Sequence, residues 1–288
     1  MNVVRSPEEL ERKPRAVALG MFDGVHLGHR AVLQAAVDAG LAPTVVTFDP
    51  HPREVLGHRV ELISTVARRL ELLATLGVEE TLLVEFTPEL SELTAEGFAD
   101  EFLRAIGAEV VVAGANFRFG HGRGGDLELL RTLGFDARTV PLVPGASSSQ
   151  IRRLVREGYV QDAARLLGRP FELDGLVVTG DARGGTLGYP TANLRVEALQ
   201  LVPAHGIYAG NALGHRAAVS IGVNPHYGGD ERRIEPHLLD FEGDLYGRRL
   251  VVELWRRLRD ERAFSSEDEL VAQITRDVEE TRAAERPT

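Results

Sequence analysis

Residues 16–29 read AVALGMFDGVHLGH, and the fold turns on how this stretch is read. AVAL is an apolar run of strand length. HRAVLQAAVDAGL at 29–41 has apolar positions at helical spacing and runs out near Gly40. GMFDGVHLGH is therefore the passage from a buried strand into a helix. With the helix beginning near Gly28, its free N–H groups and positive dipole end face the strand edge, a ready site for phosphate. His26 and His29 can donate hydrogen bonds to phosphate oxygens. They would stabilise the charge that builds on an α-phosphate as pyrophosphate leaves. A tight turn carrying two surface histidines fits the same residues, and the rest of the chain decides between the two.

Outward from this stretch, PTVVTF (43–48) is a second strand, halted by DPHP at 49–52. VARRLELLATLG and AEGFADEFLRAIG read as helices, ETLLVEF and EVVVAG (109–114) as strands. LELLRTLG is a further helix and ARTVPLV a further strand. Short apolar strands alternating with amphipathic helices predict an α/β fold, a doubly wound, Rossmann-like parallel sheet. Ligands on such sheets lie at the carboxyl ends of the strands. Three of those ends carry unusual residues: GMFDGVHLGH, DPHP and GANFRFGHGRGGD.

After about residue 168 the pattern changes. FELDGLVVTG, IYAGNAL, HRAAVSIG, RIEPHLLDF and RRLVVELWRRL read as strands separated by turn residues. They predict a small antiparallel β-barrel, closed by a C-terminal helix in SSEDELVAQITRDVEETRAA with Ser265 or Ser266 as its N-cap. The expected domains are 1–168 and 169–288, joined through the helical segment SQIRRLVREGYVQDAARLLG.

Composition narrows the function. The net charge of -10 argues against broad binding to nucleic acid or to an anionic membrane. No cysteine is present, so thiol nucleophiles, thiolate metal sites and disulfides are excluded. The N-terminus lacks the apolar core of a secretion signal, and no apolar run approaches the ~18 residues of a membrane span. A cytoplasmic location is expected. Lys13 is the only lysine, which excludes a P-loop ATPase.

In the C-terminal half, GDARGGTLGYPTAN (180–193) has glycines that let a backbone wrap phosphates closely. Thr191 and Asn193 offer neutral oxygens two residues apart, suited to Mg²⁺ held jointly with nucleotide phosphates. Turn chemistry alone also explains much of this stretch. Glu235, in RIEPHLLDF, is either an exposed strand glutamate or a general base.

The string G-x-F-D-G-x-H-x-G-H resembles the H-x-G-H signature of nucleotidyltransferases, and its longer form is similar to the bacterial bifunctional riboflavin kinase/FAD synthetase family. SSSQIR at 147–152 is similar to that family's S-S-T-x-I-R, with Ser149 where the family has Thr. VVTFDPHP resembles T-F-x-P-H-P. GANFRFGHGRGGD resembles G-x-N-F-x-F-G…G-x-x-G-D, and G-x-L-G-x-P-T-A-N is matched almost letter for letter. DFEGDLYG and LRDERAF are also family-like. The resemblance runs from about residue 16 to 280, in the expected order.

It implies adenylylation of FMN to FAD in the first domain. His26, His29 and Arg152 would be catalytic there. Gly20, Phe22, Asp23, Gly24, Gly28, Ser147, Ser148 and Ser149 would bind nucleotide, and Pro50, His51, Asn116, Phe117 and Arg118 would border the flavin, with core packing an equal reading for Phe117. It implies phosphorylation of riboflavin to FMN in the second, with Glu235 as base and Thr191 and Asn193 at Mg²⁺. Gly180, Arg183 and Gly188 would lie at the nucleotide, Arg259 and Phe264 at the flavin. Riboflavin, FMN and ATP are the implied small-molecule substrates, with no nucleic-acid or membrane partner, and a homo-oligomer is left open. The chain departs from the family at Gly185, where Arg is common, and at His226 and Tyr227, which replace Thr and Phe. Those departures raise an alternative, an FMN adenylyltransferase with an impaired kinase. A flavin-binding regulatory protein without turnover is a third reading, and the intact histidine and PTAN motifs speak against it.

Overall fold

The computed structural model describes residues 1–179, 189–223 and 232–287. By contacts, the chain falls into two compact units: Met1–Val60 with Val66–Ser147, and Glu61–Thr65 with Ser148–Thr288.

The first unit holds a six-stranded parallel sheet. Its strands are β1 (Asn2–Val4), β2 (Arg15–Leu19), β3 (Ala42–Asp49), β4 (Glu80–Glu85), β5 (Ala108–Gly114) and β6 (Asp136–Val140), in the order β1-β4-β3-β2-β5-β6. All of β2 is buried, and its residues alternate between two cores. Val17 and Leu19 pack with Val46, Phe48, Leu82 and Val111. Ala16 and Ala18 pack with Val45, Val110 and the helix residues Val32 and Leu33. Both faces being covered explains why these strands read as unbroken apolar runs. From β2 the chain adds β3 and β4 on one side, then β5 and β6 on the other. The switch point, where such sheets bind ligands, thus falls between β2 and β5.

Helices follow the predicted strands, with adjustments. The first runs Leu27–Val37, so it starts one residue ahead of Gly28. AEGFADEFLRAIG forms an α-turn Ala95–Phe98 that runs on as a π-helix, Ala99–Arg104. The short edge strand β1 is an addition to the sequence reading. It pairs with β4 through only three residues, too few to show a pattern.

The second unit is an antiparallel sheet of β7 (Phe171–Val178), β8 (Asn193–Val196), β9 (Gly206–Ala212), β10 (His215–Val223), β11 (Arg232–Leu238) and β12 (Arg249–Arg259). Its order is β11-β10-β9-β12-β7-β8. The Ala192 N–H donates to the Pro236 carbonyl at 2.9 Å and brings the two edge strands together, so the sheet nearly closes into a barrel. Ala217, Val219 and Ile221 alternate inward with Leu250, Val252 and Leu254. The helix Glu267–Ala283 follows, with Ser266 as its N-cap accepting from the Glu269 N–H.

By contacts the second unit includes the helical segment that was expected to join the two domains. Helices Ser148–Arg156 and Val160–Leu167 bury Ile151, Val155, Val160 and Leu167 in the barrel core. Residues 61–65 join the same unit. Leu62 bridges to Gln200, Ile63 is buried in the barrel core, and the Thr65 hydroxyl donates to Asp174. A short segment inserted from elsewhere in the sequence carries no periodicity of its own, so no pattern marked it.

Candidate active sites

At the end of β2 the backbone takes three left-handed conformations within four residues: Phe22 (φ 51°), Gly24 (78°) and Val25 (41°). Two of these are side chains that rarely adopt positive φ, and such strain is characteristic of functional loops. Phe22 is nonetheless buried, its ring 5.3 Å edge-on from His29. His26 is the N-cap of the helix Leu27–Val37: its Nδ1 accepts from the His29 N–H at 3.3 Å. Accepting through Nδ1 places that ring's proton on Nε2, a donor. The two imidazoles stack at 3.6 Å and 16°. Gly28 makes this stack fit, since a Cβ there would lie 3.2 Å from the His26 ring. Gly20 likewise leaves room for Phe22, whose ring is 3.3 Å from the site of a Cβ.

The neighbouring strand ends carry the other predicted residues of this unit. Asp49–Pro50 is a cis peptide bond, and His51 caps a short helix, its Nδ1 accepting from the Arg53 N–H at 3.1 Å. After β5, Asn116 and Arg118 are exposed and Arg118 meets Asp126 at 3.3 Å. Phe117 is half-buried, stacked on Phe119 and packed against the core, so its packing role is real. The Ala146 carbonyl lies 3.5 Å from where a Gly28 Cβ would lie. Ser147 belongs to this unit, whereas Ser148, Ser149 and Arg152 open the second. Arg152 is buried there, its Nε donating to the Glu61 carbonyl at 2.7 Å.

Sequence reading missed Arg69, which is buried under these loops. It sits three and four residues before Leu72 and Leu73, on the apolar face of the helix Val66–Thr75. That spacing was the available signal.

In the barrel, a cavity of about 290 Å³ gathers Thr191, Asn193, Glu235, Arg259 and Phe264, five residues that sequence reading singled out. Asn193 opens β8, Glu235 stands on β11 opposite Ser220 of β10, and Arg259 ends β12. The helix Glu267–Ala283 lays Leu270, Ile274 and Asp277, one helical face, against the same space. Arg233 approaches Glu235 at 3.6 Å. Arg259 grips buried Asp277 with Nε at 2.9 Å and Nη2 at 2.7 Å, and its guanidinium lies 5.8 Å from the Phe264 ring. Tyr189, His237 and Asp277 line the cavity and were not singled out; Tyr189 lies inside the glycine-rich stretch 180–193, and the other two come from segments read as strand and helix. A second cavity, of about 200 Å³, is lined by Val177, Leu238, Phe241 and Tyr246, and Thr191 borders it too. Gly180, Arg183, Gly185, Gly188, His226 and Tyr227 lie outside the described residues.

A strained loop at a helix N-terminus on a switch-point sheet, and a barrel cavity that brings Thr191, Asn193 and Glu235 together, are the features of an enzyme class that handles phosphates. Comparison with known proteins narrows it. A family model described as FAD synthetase matches residues 8–151, and one described as riboflavin kinase matches 167–284. A bifunctional riboflavin kinase/FMN adenylyltransferase of Listeria monocytogenes is 38% identical, over 93% of this chain and 92% of that protein. One from Escherichia coli is 35% identical over 96% of each. A crystal structure described as a macrolide-efflux protein from Streptococcus pneumoniae matches with a TM-score of 0.88 and 34% identity, covering 98% of this chain and 99% of that one. Among the described residues no helix is long and apolar enough to cross a membrane. The chain belongs to the bifunctional riboflavin kinase/FMN adenylyltransferase family.

Proposed function

We propose that the barrel unit phosphorylates riboflavin with ATP, giving FMN and ADP, and that the α/β unit adenylylates FMN, giving FAD and pyrophosphate. The observation that carries the kinase half is Thr191, which stands on the walls of the two cavities described above, with Glu235 in the one of about 290 Å³. One cavity takes the flavin and the other the nucleotide. The Glu235 carboxylate accepts the proton of the riboflavin 5′-hydroxyl as its oxygen bonds to the γ-phosphorus and the bond to the β-phosphate oxygen breaks. Thr191 and Asn193 present neutral oxygens, a donor set that fits a hard divalent cation only together with nucleotide phosphates; we assign Mg²⁺, which would offset the charge on the departing ADP. Gly180, Arg183 and Gly188 are assigned to the phosphates on sequence alone.

In the α/β unit, an FMN phosphate oxygen attacks the α-phosphorus of ATP and pyrophosphate leaves. No covalent intermediate with the protein is required. His26 and His29 donate to the charge that builds there, and the N-terminus of helix Leu27–Val37 adds its dipole. Ser147 is assigned to the ATP tail, and Pro50, His51, Asn116, Phe117 and Arg118 to the flavin side; for Ser148, Ser149 and Arg152 the family resemblance alone suggests a nucleotide role. All substrates are small soluble molecules, consistent with a cytoplasmic enzyme.

The test supplies purified protein with riboflavin and Mg-ATP in one tube and FMN and Mg-ATP in another, and separates the flavins chromatographically. FAD is expected in both. FAD from FMN alone is the outcome that an impaired kinase predicts, the reading raised by Gly185 and His226. Absence of product in both tubes would remove the enzymatic assignment.

A further inference from the structure

Arg69 is 4% exposed, an unusual place for a guanidinium on a surface helix. Its Nη1 donates to the Met21 carbonyl and its Nη2 to the Phe48 carbonyl, each at 3.0 Å. Met21 follows β2, and Phe48 lies near the end of the adjacent β3. One planar fork thus ties two strand ends. The Met21 carbonyl also accepts from the Thr47 hydroxyl at 3.1 Å. Directly after Met21 comes the left-handed stretch Phe22–Val25. Such backbone persists only where its surroundings over-determine it, and the doubly held carbonyl supplies that restraint. Burial holds the Arg69 guanidinium below its ordinary value, while the charges of Asp23 and Asp49 pull the other way. Those aspartates belong to the same two strand ends.

We propose that Arg69 is a positioning residue for adenylyl transfer: its fork fixes the loop carrying His26 and His29 against the loop carrying Pro50 and His51. This rests on reading residues 20–29 as the nucleotidyl site. Arg69 touches no substrate in this role. A lysine keeps the charge as a single point donor; glutamine keeps a donor and loses the charge.

The test compares Arg69→Lys and Arg69→Gln, each assayed well below its own thermal midpoint. FAD formation from FMN is read beside FMN formation from riboflavin in the same preparation. Misplacing catalytic groups lowers kcat, so we expect about a tenfold loss for Lys and about a 10²-fold loss for Gln in FAD formation. KM for ATP should stay within about twofold for Lys, and riboflavin phosphorylation should be unchanged in both. Adenylylation within about twofold of the parent in folded Arg69→Lys, or equal loss of both activities, would overturn the proposal. His29→Ala is the companion control. If it leaves FAD formation intact, the nucleotidyl reading of the loop falls first, whatever the Arg69 variants do.

Discussion

In the α/β unit the candidate catalytic histidines sit within ten consecutive residues, 20–29, of which Phe22, Gly24 and Val25 take left-handed backbone. In the barrel the candidate site is assembled from single side chains far apart in sequence, on strands, on the segments beside them and on the last helix. The two constructions should fail differently. A site made of backbone and stacked rings is sensitive to an added methyl group. A site made of side chains on strands tolerates backbone detail and depends on individual functional groups.

The largest effect expected is from Glu235→Gln, which keeps shape and removes the proposed base. FMN formation should fall by about 10²-fold or more while FAD formation from FMN is kept. Steady-state assays of the two half-reactions check this, and an equal loss in both would break the contrast. Next is Asp277→Asn, which leaves the bidentate Arg259 partnership incomplete inside the barrel. About 2 kcal/mol of stability should be lost, read by denaturant titration, together with a raised KM for riboflavin. Gly28→Ala tests the other kind of site. A Cβ 3.2 Å from the His26 ring should displace the stack and lower FAD formation about tenfold, without touching riboflavin phosphorylation. No change would mean the ring yields freely and the stack is not critical.

The smallest effect lies away from both sites. At the start of β4, burial pushes the Glu80 carboxyl up, but hydrogen bonds and charge from Arg15 and Lys13 outweigh it, holding the carboxyl below its ordinary 4.5. A lowered folded value means that its stabilisation is complete above 4.5 and is lost as pH falls through the folded value. The gap in thermal midpoint between parent and Glu80→Gln should therefore be constant at neutral pH and close in acid. A gap that widens in acid would contradict the sign.

Much of this was legible in the sequence because it is local. AVALGMFDGVHLGH announces strand, turn and helix, but not the histidine stack, which depends on His26 standing as the extended N-cap. PTAN and Glu235 were legible only through family resemblance, since a strand glutamate has no distinctive neighbours. Arg69 was hidden because ARRLELL reads as an ordinary amphipathic helix. Its carbonyl partners, Met21 and Phe48, lie 48 and 21 residues away. Asp277 was hidden for the same reason, its partner being on another element. Residues 61–65 were hidden because an inserted segment obtains its structure wholly from the barrel it joins.

Assigning adenylylation to the loop and phosphorylation to the barrel makes a direct prediction for mixing. His29→Ala and Glu235→Gln would each be given riboflavin and Mg-ATP, alone and mixed, and FAD followed by chromatography. The first alone should stop at FMN, the second should consume almost no riboflavin, and the mixture should make FAD at a substantial rate. A mixture no faster than either variant alone, or FAD produced readily by His29→Ala, would contradict the assignment of separate chemistries to the loop and the barrel.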